Sequence, residues 1–254
     1  MIDRRLPAIR LGSIIAFILF LCAWQLAAQA GLISATFFPA PSRIWTSLLK
    51  LANSGDLATA MGATLLRFGI GLLAGSVLGA LLGLLMGWWR GLRHFLDPFI
   101  AAVYPIPKIA IFPLILVIFG LGEQSKFVAI ALAAFFPMLI TSLAGVQQIN
   151  RVYFEVGRNY GARGRQFFSR ILLPGSLPSV MAGLRLSSNM AFVVTITVEI
   201  VASNTGLGVL LWFGWQTFRV SEIYAVLVVI GLVGLTISYV IDRLTRTLVP
   251  WMGE

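Results

Sequence analysis

The sequence predicts an all-α membrane protein with six transmembrane helices and a polar cytosolic segment between the fourth and the fifth. Three observations carry this. Of 254 residues, 59% are apolar and 11% charged, against roughly 45–50% and about 25% in soluble domains, so ionised side chains cannot cover a globular surface. Mean hydropathy is +0.93. Charge-free runs at 11–42, 68–89, 127–150, 200–218 and 223–241 have the length of about 20 residues that crosses a bilayer. No composition shift separates the runs, so 1–254 reads as a single membrane domain.

The first span is placed at 11–30, behind Arg4, Arg5 and Arg10. Ala28-Gln29-Ala30 has the form of a signal cleavage site, but the apolar run exceeds a signal core and is kept as a span. The second span, 57–88, carries Gly71, Gly75, Gly79, Gly83 and Gly87. Small residues every four positions let a neighbouring backbone approach closely, either within the chain or between copies. The third span, 99–120, contains Pro105, Pro107 and Pro113. Each removes a donor and collides with the preceding turn, so the helix is expected to be irregular, as a structural kink or as the wall of a wet pathway. The remaining spans are placed at 126–147, 183–203 and 223–245.

Orientation follows the Lys/Arg bias of short loops. A cytosolic N-terminus puts thirteen of the nineteen basic residues inside: Arg4, Arg5, Arg10, Arg90, Arg93, Arg151, Arg158, Arg163, Arg165, Arg170, Arg185, Arg243 and Arg246. Both termini are then cytosolic, and the net charge of +10 is explained by topology rather than by nucleic acid. One Cys and one His supply neither a disulfide nor a metal site. No Lys follows a Gly, which excludes a P-loop, and no catalytic constellation is present. The chain is expected to be no enzyme and to hold no cofactor.

Ionisable groups inside spans are expensive and therefore candidates for function. Three qualify: Arg67, Lys108 and Glu199. Arg67 and Glu199 fall at compatible depth in the outer half and are expected to pair there or to find other partners, as a structural ion pair or as part of a translocation pathway. Lys108 has no evident acidic partner and is the candidate to face a water-filled path and an anionic solute.

Residues 148–178 are too polar to span. Asn150 is a candidate N-cap for a helix over 151–160, Gly161 a left-handed terminator, and a second helical stretch over 162–172 runs to Pro174. Five Arg and one Glu lie between 151 and 170. Such a basic amphipathic stretch either rests on anionic membrane lipid or stands off to meet a cytosolic partner.

Glu155-Val156-Gly157-Arg158-Asn159-Tyr160-Gly161, nine residues, then Ile171-Leu172-Leu173-Pro174 resembles the EAA signature of ABC importer permeases (EAAxxxG, nine residues, IxLP). Val156 and Gly157 replace its two alanines, at lower helix propensity. The runs Pro39-Ala40-Pro41-Ser42, Thr64-Leu65-Leu66-Arg67-Phe68-Gly69, Pro105-Ile106-Pro107-Lys108-Ile109-Ala110, Phe119-Gly120-Leu121-Gly122-Glu123 and Thr205-Gly206-Leu207-Gly208 are similar to the nitrate, taurine, alkanesulfonate and bicarbonate branch of these permeases.

The resemblance implies the type I ABC importer permease fold in a prokaryotic cytoplasmic (inner) membrane. It implies that 148–178 is the loop coupled to an ABC ATPase dimer, through Glu155, Gly161, Ile171, Leu173 and Pro174, with Pro174 closing the second helix. ATP and Mg are then bound by the ATPase, and an extracytoplasmic solute-binding protein delivers the solute. Candidate surfaces for that protein are 42–51 and 206–219, unless Trp212 and Trp215 are only interfacial anchors. One coupling loop and no internal repeat, set against a two-fold ATPase, imply a permease homodimer. The solute is a small anion such as a sulfonate, taurine, nitrate or bicarbonate, or in related branches a pyrimidine-like or aromatic compound. An ion-coupled secondary carrier would need intramembrane acids in a relay, and Glu199 alone is available.

Overall fold

The computed structural model describes residues 6–252, with side chains for 12–251; Arg4, Arg5 and the Arg10 side chain lie outside them. The described residues form α1 (Leu6–Gln29), α2 (Pro41–Asn53), α3 (Asp56–Trp88), α4 (Arg90–Val103), a 3-10 turn (Lys108–Ile111), α5 (Phe112–Phe119) and α6 (Glu123–Gln147). There follow α7 (Arg151–Asn159), α8 (Arg165–Phe167), a π turn (Phe168–Leu172), α9 (Leu173–Ala202), α10 (Leu207–Gln216) and α11 (Val220–Leu248). No strand occurs among the described residues. The chain divides into two compact units, Met1–Thr59 with Leu210–Ile230, and Ala60–Val209 with Gly231–Glu254.

In the first unit the Gln25 amide fastens α1 to the start of α2. It donates to Ser42 Oγ at 3.0 Å and accepts from the Ser42 N–H at 3.1 Å. Pro41 begins α2, where its missing N–H is no loss. Trp24 packs on Tyr224, ring centroids 5.8 Å apart, and the Tyr224 hydroxyl donates to the Phe37 carbonyl at 3.2 Å.

The second unit is organised by the glycine ridge of α3, which seats directly on α6 of the same chain. A Cβ on Gly79 would lie 2.5 Å from the Phe135 carbonyl oxygen and 3.0 Å from Met138 Cβ. Cβ atoms on Gly71, Gly75, Gly83 and Gly87 would meet Ile130, Ala131, Leu139 and Val146 in turn. The close approach is therefore intramolecular. Along an adjoining face α6 carries α9: Ser187 Oγ donates to the Ala134 carbonyl at 2.8 Å, and Gly183 leaves room for Thr141. Burying that hydroxyl on a carbonyl satisfies both groups where water is absent.

These contacts fix directions. Residue numbers rise together along α3 and α6, so the two helices are parallel; they run opposite along α6 and α9. A chain leaving α3 at Trp88 must therefore cross the thickness of the unit before entering α6 at Glu123. Residues 89–122 therefore traverse the unit once rather than turning back, which brings the candidate crossings among the described residues to six.

That third crossing is irregular, as the prolines predict, but it is not a helix over 99–120. It is broken at Tyr104–Pro107, and Arg90–Val103 and Lys108–Phe119 meet at 85°. The fifth crossing differs more. Pro174 does not close the second helical stretch: α8, the π turn and α9 form one uninterrupted helix, Arg165–Ala202. The extra residue of the π turn shifts the backbone just before the proline, where its ring would strike the preceding turn of a regular helix. Ser176 Oγ then donates to the Leu172 carbonyl at 2.7 Å.

Candidate functional site

At the Glu123 end of the second unit, four helices converge on one cluster. Arg67, on α3, donates from Nε to Glu123 Oε2 at 2.7 Å and from an Nη to Oε1 at 2.9 Å, a two-pronged contact with the first residue of α6. Its other Nη donates to Glu199 Oε1, on α9, at 2.9 Å and to the Thr205 carbonyl. Glu199 is fully buried and also accepts from Thr64 Oγ1 at 2.9 Å and from the Gly208 N–H at 3.0 Å. Thr64 in turn accepts the Leu207 N–H, at the start of α10, at 2.9 Å. Lys126 Nζ donates to Glu123 at 2.7 Å.

Two cations face two carboxylates, so the cluster is neutral, which is how ionised groups persist away from water. Arg67 and Glu199 do meet, and every strong donor and acceptor of the pair is occupied by protein. Sequence reasoning missed Thr64, Glu123, Lys126, Thr205 and Gly206 as members. The signal was available: Thr64–Arg67, the run ending at Glu123, and Thr205–Gly208 are three of the short motifs that carry the family resemblance, and they close on a single point. Gly206 explains its own place there, with φ +132° and a Cβ that would strike the Glu199 carboxyl.

Lys108 lies at the break in the third crossing. Its ammonium donates to the carbonyls of Val103, Tyr104 and Ile106 at 3.1, 2.8 and 2.8 Å. It also stands over the Phe136 ring, 4.3 Å from the centroid. A cation suits the carbonyl end of a helix, so the side chain holds the unwound turn after α4. Among the described residues no carboxylate reaches it.

The basic segment folds as its cap residues require. Asn150 Oδ1 accepts the Val152 N–H at 3.0 Å. Gly161, at φ +75°, ends α7 in the left-handed conformation, with the Ala162 N–H donating to the Gly157 carbonyl at 2.9 Å. Gly157 is buried because Ile171 and Phe167 occupy the space a side chain would need, and Phe154 stacks parallel on Phe167 at 6.1 Å. α7 is thereby fixed to the root of the Arg165–Ala202 helix. Its outer face is left open: Val152, Tyr153, Glu155, Val156 and Tyr160 are exposed, Tyr160 by 88%. Ile171 faces α7, Leu173 is partly exposed, and Pro174 lies within the continuous helix.

In the first unit, a cavity of about 460 Å³ is lined by Lys50 of α2, Asp56 at the start of α3, Phe213 of α10, Arg219 just before α11 and Glu222 of α11. Trp212 and Trp215 stack beside it, centroids 4.6 Å apart.

The model of the family described as binding-protein-dependent transport system inner membrane component matches residues 71–254. The chain belongs to this family. Among fellow transport components, it is 31% identical to the taurine transport system permease protein TauC of Escherichia coli K12, over 95% of this chain and 90% of that one. It is 30% identical to a Bacillus subtilis 168 protein named for aliphatic sulfonates transport, SsuC, over 91% and 84%. It is 31% identical to the formylaminopyrimidine transport permease protein ThiX of Halalkalibacterium halodurans, over 92% and 93%. A chain of the inward-facing MetNI methionine ABC transporter superposes with a TM-score of 0.60 at 20% identity, covering 73% of this chain and 92% of that one. The fold is thus the type I importer permease fold that the sequence implies, with the third and fifth crossings as described.

Proposed function

We propose that this chain is the membrane-spanning subunit of an ATP-driven importer, working as two identical copies on an ABC ATPase dimer and moving a small sulfonate- or taurine-like solute inward by alternating access. The observation that carries the reading is α7. It is a capped, nine-residue helix with the EAA spacing, an uncovered apolar and aromatic face, and a base locked onto a membrane-crossing helix. Driving a two-state gate from 1:99 to 99:1 takes about 5.5 kcal/mol of differential binding, and a face of this kind can receive that from a closing partner. ATP and Mg belong to the partner, and the chain itself does no chemistry. The same reading puts α7 and both termini in the cytosol and the α2–α10 surface outside, towards a solute-binding protein.

The test is uptake of labelled taurine into proteoliposomes holding the chain, its ATPase and its binding protein. Gly161→Val places a β-branched residue at φ +75°, and Glu155→Lys reverses a charge on the open face. Both are expected to abolish uptake while the chain remains inserted. Normal uptake by a folded Gly161→Val chain would overturn the coupling role.

A second solute reading has one observation in its favour, the 31% identity to a permease named for formylaminopyrimidine. Titrating the cognate binding protein with taurine, an alkanesulfonate and a formylaminopyrimidine separates the two.

A further inference from the structure

Charge inside the crossings is balanced almost everywhere. Arg67 and Lys126 face Glu123 and Glu199, and Arg185 faces Asp242 at 3.3 Å. Lys108 has no such counter-charge among the described residues. Its depth can be read from Phe136, over which the ammonium stands. Phe136 is the fourteenth of the 25 residues of α6, so the ammonium lies close to the middle of a helix about 37 Å long.

The three carbonyls and two rings around it supply dipoles and ring faces, which orient a cation without cancelling it. Val103, Tyr104, Ile106 and Ile109, on either side of the break, are exposed. An uncompensated cation half-way across a bilayer, beside unwound backbone, persists where the surface is wet rather than against hydrocarbon.

We propose that Lys108 is the mid-membrane contact for the anionic group of the transported solute, an oxyanion such as a sulfonate, as it passes the break at Tyr104–Pro107. As to the solute, the proposal rests on the importer reading; the wet, anion-attracting character of the break stands on the geometry alone. The carbonyls of Val103, Tyr104 and Ile106 park the ammonium at the path. An arriving oxyanion replaces one of these neutral acceptors with a charged one, the stronger partner for an ammonium. The rings of Tyr104 and Phe136 stay beneath the cation as the solute leaves.

The experiment uses the assembled transporter in proteoliposomes, with Cys22→Ser to remove the native thiol and Ile106→Cys as the reporter. Two water-borne methanethiosulfonate reagents are compared, one ending in a sulfonate and one in a trimethylammonium. Both are expected to modify the reporter, with the sulfonate reagent favoured. Lys108→Gln is expected to lower the sulfonate-to-ammonium rate ratio about tenfold, the effect of one unit charge a few ångströms away in a partly aqueous site, and Lys108→Arg to preserve it. An unchanged ratio in Lys108→Gln, or a reporter that neither reagent reaches, overturns the proposal.

Without the reporter, Lys108→Gln is expected to lower taurine uptake at least about tenfold while taurine-loaded binding protein still stimulates ATP hydrolysis. Undiminished uptake overturns the proposal. A wild-type assembly that takes up no taurine counts instead against the importer reading of the solute, and the labelling ratio then decides the role of Lys108 by itself.

Discussion

Arg67→Met removes the centre of the four-helix cluster. Five hydrogen bonds go with the guanidinium: two to Glu123, one to Glu199 and two to Thr205. The consequence is unequal for the two acids. Glu123 is half exposed, keeps Lys126 and can rehydrate. Glu199 is wholly buried and is left with the neutral donors Thr64 and Gly208. Removing one partner of a buried ion pair costs about 3–5 kcal/mol, because the other charge stays behind. At roughly 2–4 °C per kcal/mol for a chain of this size, the apparent melting temperature is expected to fall by roughly 6–20 °C. Heating detergent-solubilised protein and following the monodisperse fraction by size-exclusion chromatography measures this. Adding Glu199→Gln removes the orphaned charge and keeps acceptors for Thr64 and Gly208, so the double variant is expected to melt above the Arg67→Met single. A single variant melting within about 2 °C of wild type, or a double variant that only adds the two losses, would refute the assignment of Glu199 as a charge dependent on Arg67.

Gly79→Leu forces α3 away from the Phe135 carbonyl and is expected to leave little monodisperse protein after extraction, whereas Gly62→Leu, where a Cβ meets nothing within 4 Å, should extract like wild type. Gly206→Ala drives a methyl into the Glu199 carboxyl at a left-handed φ and is expected to cost more than the 0.5–1 kcal/mol of an ordinary glycine change, read as a lower melting temperature than wild type. Asn150→Ala deletes the N-cap of α7, worth about 1 kcal/mol; exchange of the α7 amides with deuterated water should quicken while the α6 amides keep wild-type rates.

The crossings were legible because composition and charge-free length dictate them, and α7 because Asn150 and Gly161 announce its two ends. The glycine ridge was legible as a contact surface but not as to its partner, since a spacing of four says how close a backbone can come and not whose it is. Pro174 misled for a definite reason. A proline costs a helix one hydrogen bond and a bend but need not end it, as Pro98, Pro137 and Pro178 inside their helices also show, and nothing in Phe168–Leu172 advertises the π turn that precedes Pro174. The Arg67–Glu199 pairing followed from matching depth, whereas Glu123 lay at a predicted loop and escaped an argument confined to spans. Gly157 read as a weak helix position, yet its missing side chain is what lets Ile171 seat under α7. Propensity counts the isolated helix, and the packing partner outweighs it.

The unbroken run from Arg165 to Ala202 has a mechanical meaning. Its 38 residues make a rod of about 55 Å, nearly twice the hydrocarbon thickness of a bilayer, with α7 bolted to one end through Gly157 and Ile171 and Glu199 keyed into the Arg67 cluster near the other. The rod keeps its hydrogen-bonded continuity through the π turn, Pro174 and Pro178, so what bending it has is confined to its foot. On the proposed coupling role, a displacement received at the arginine-rich foot is carried by one helix as far as the Arg67–Glu199 cluster.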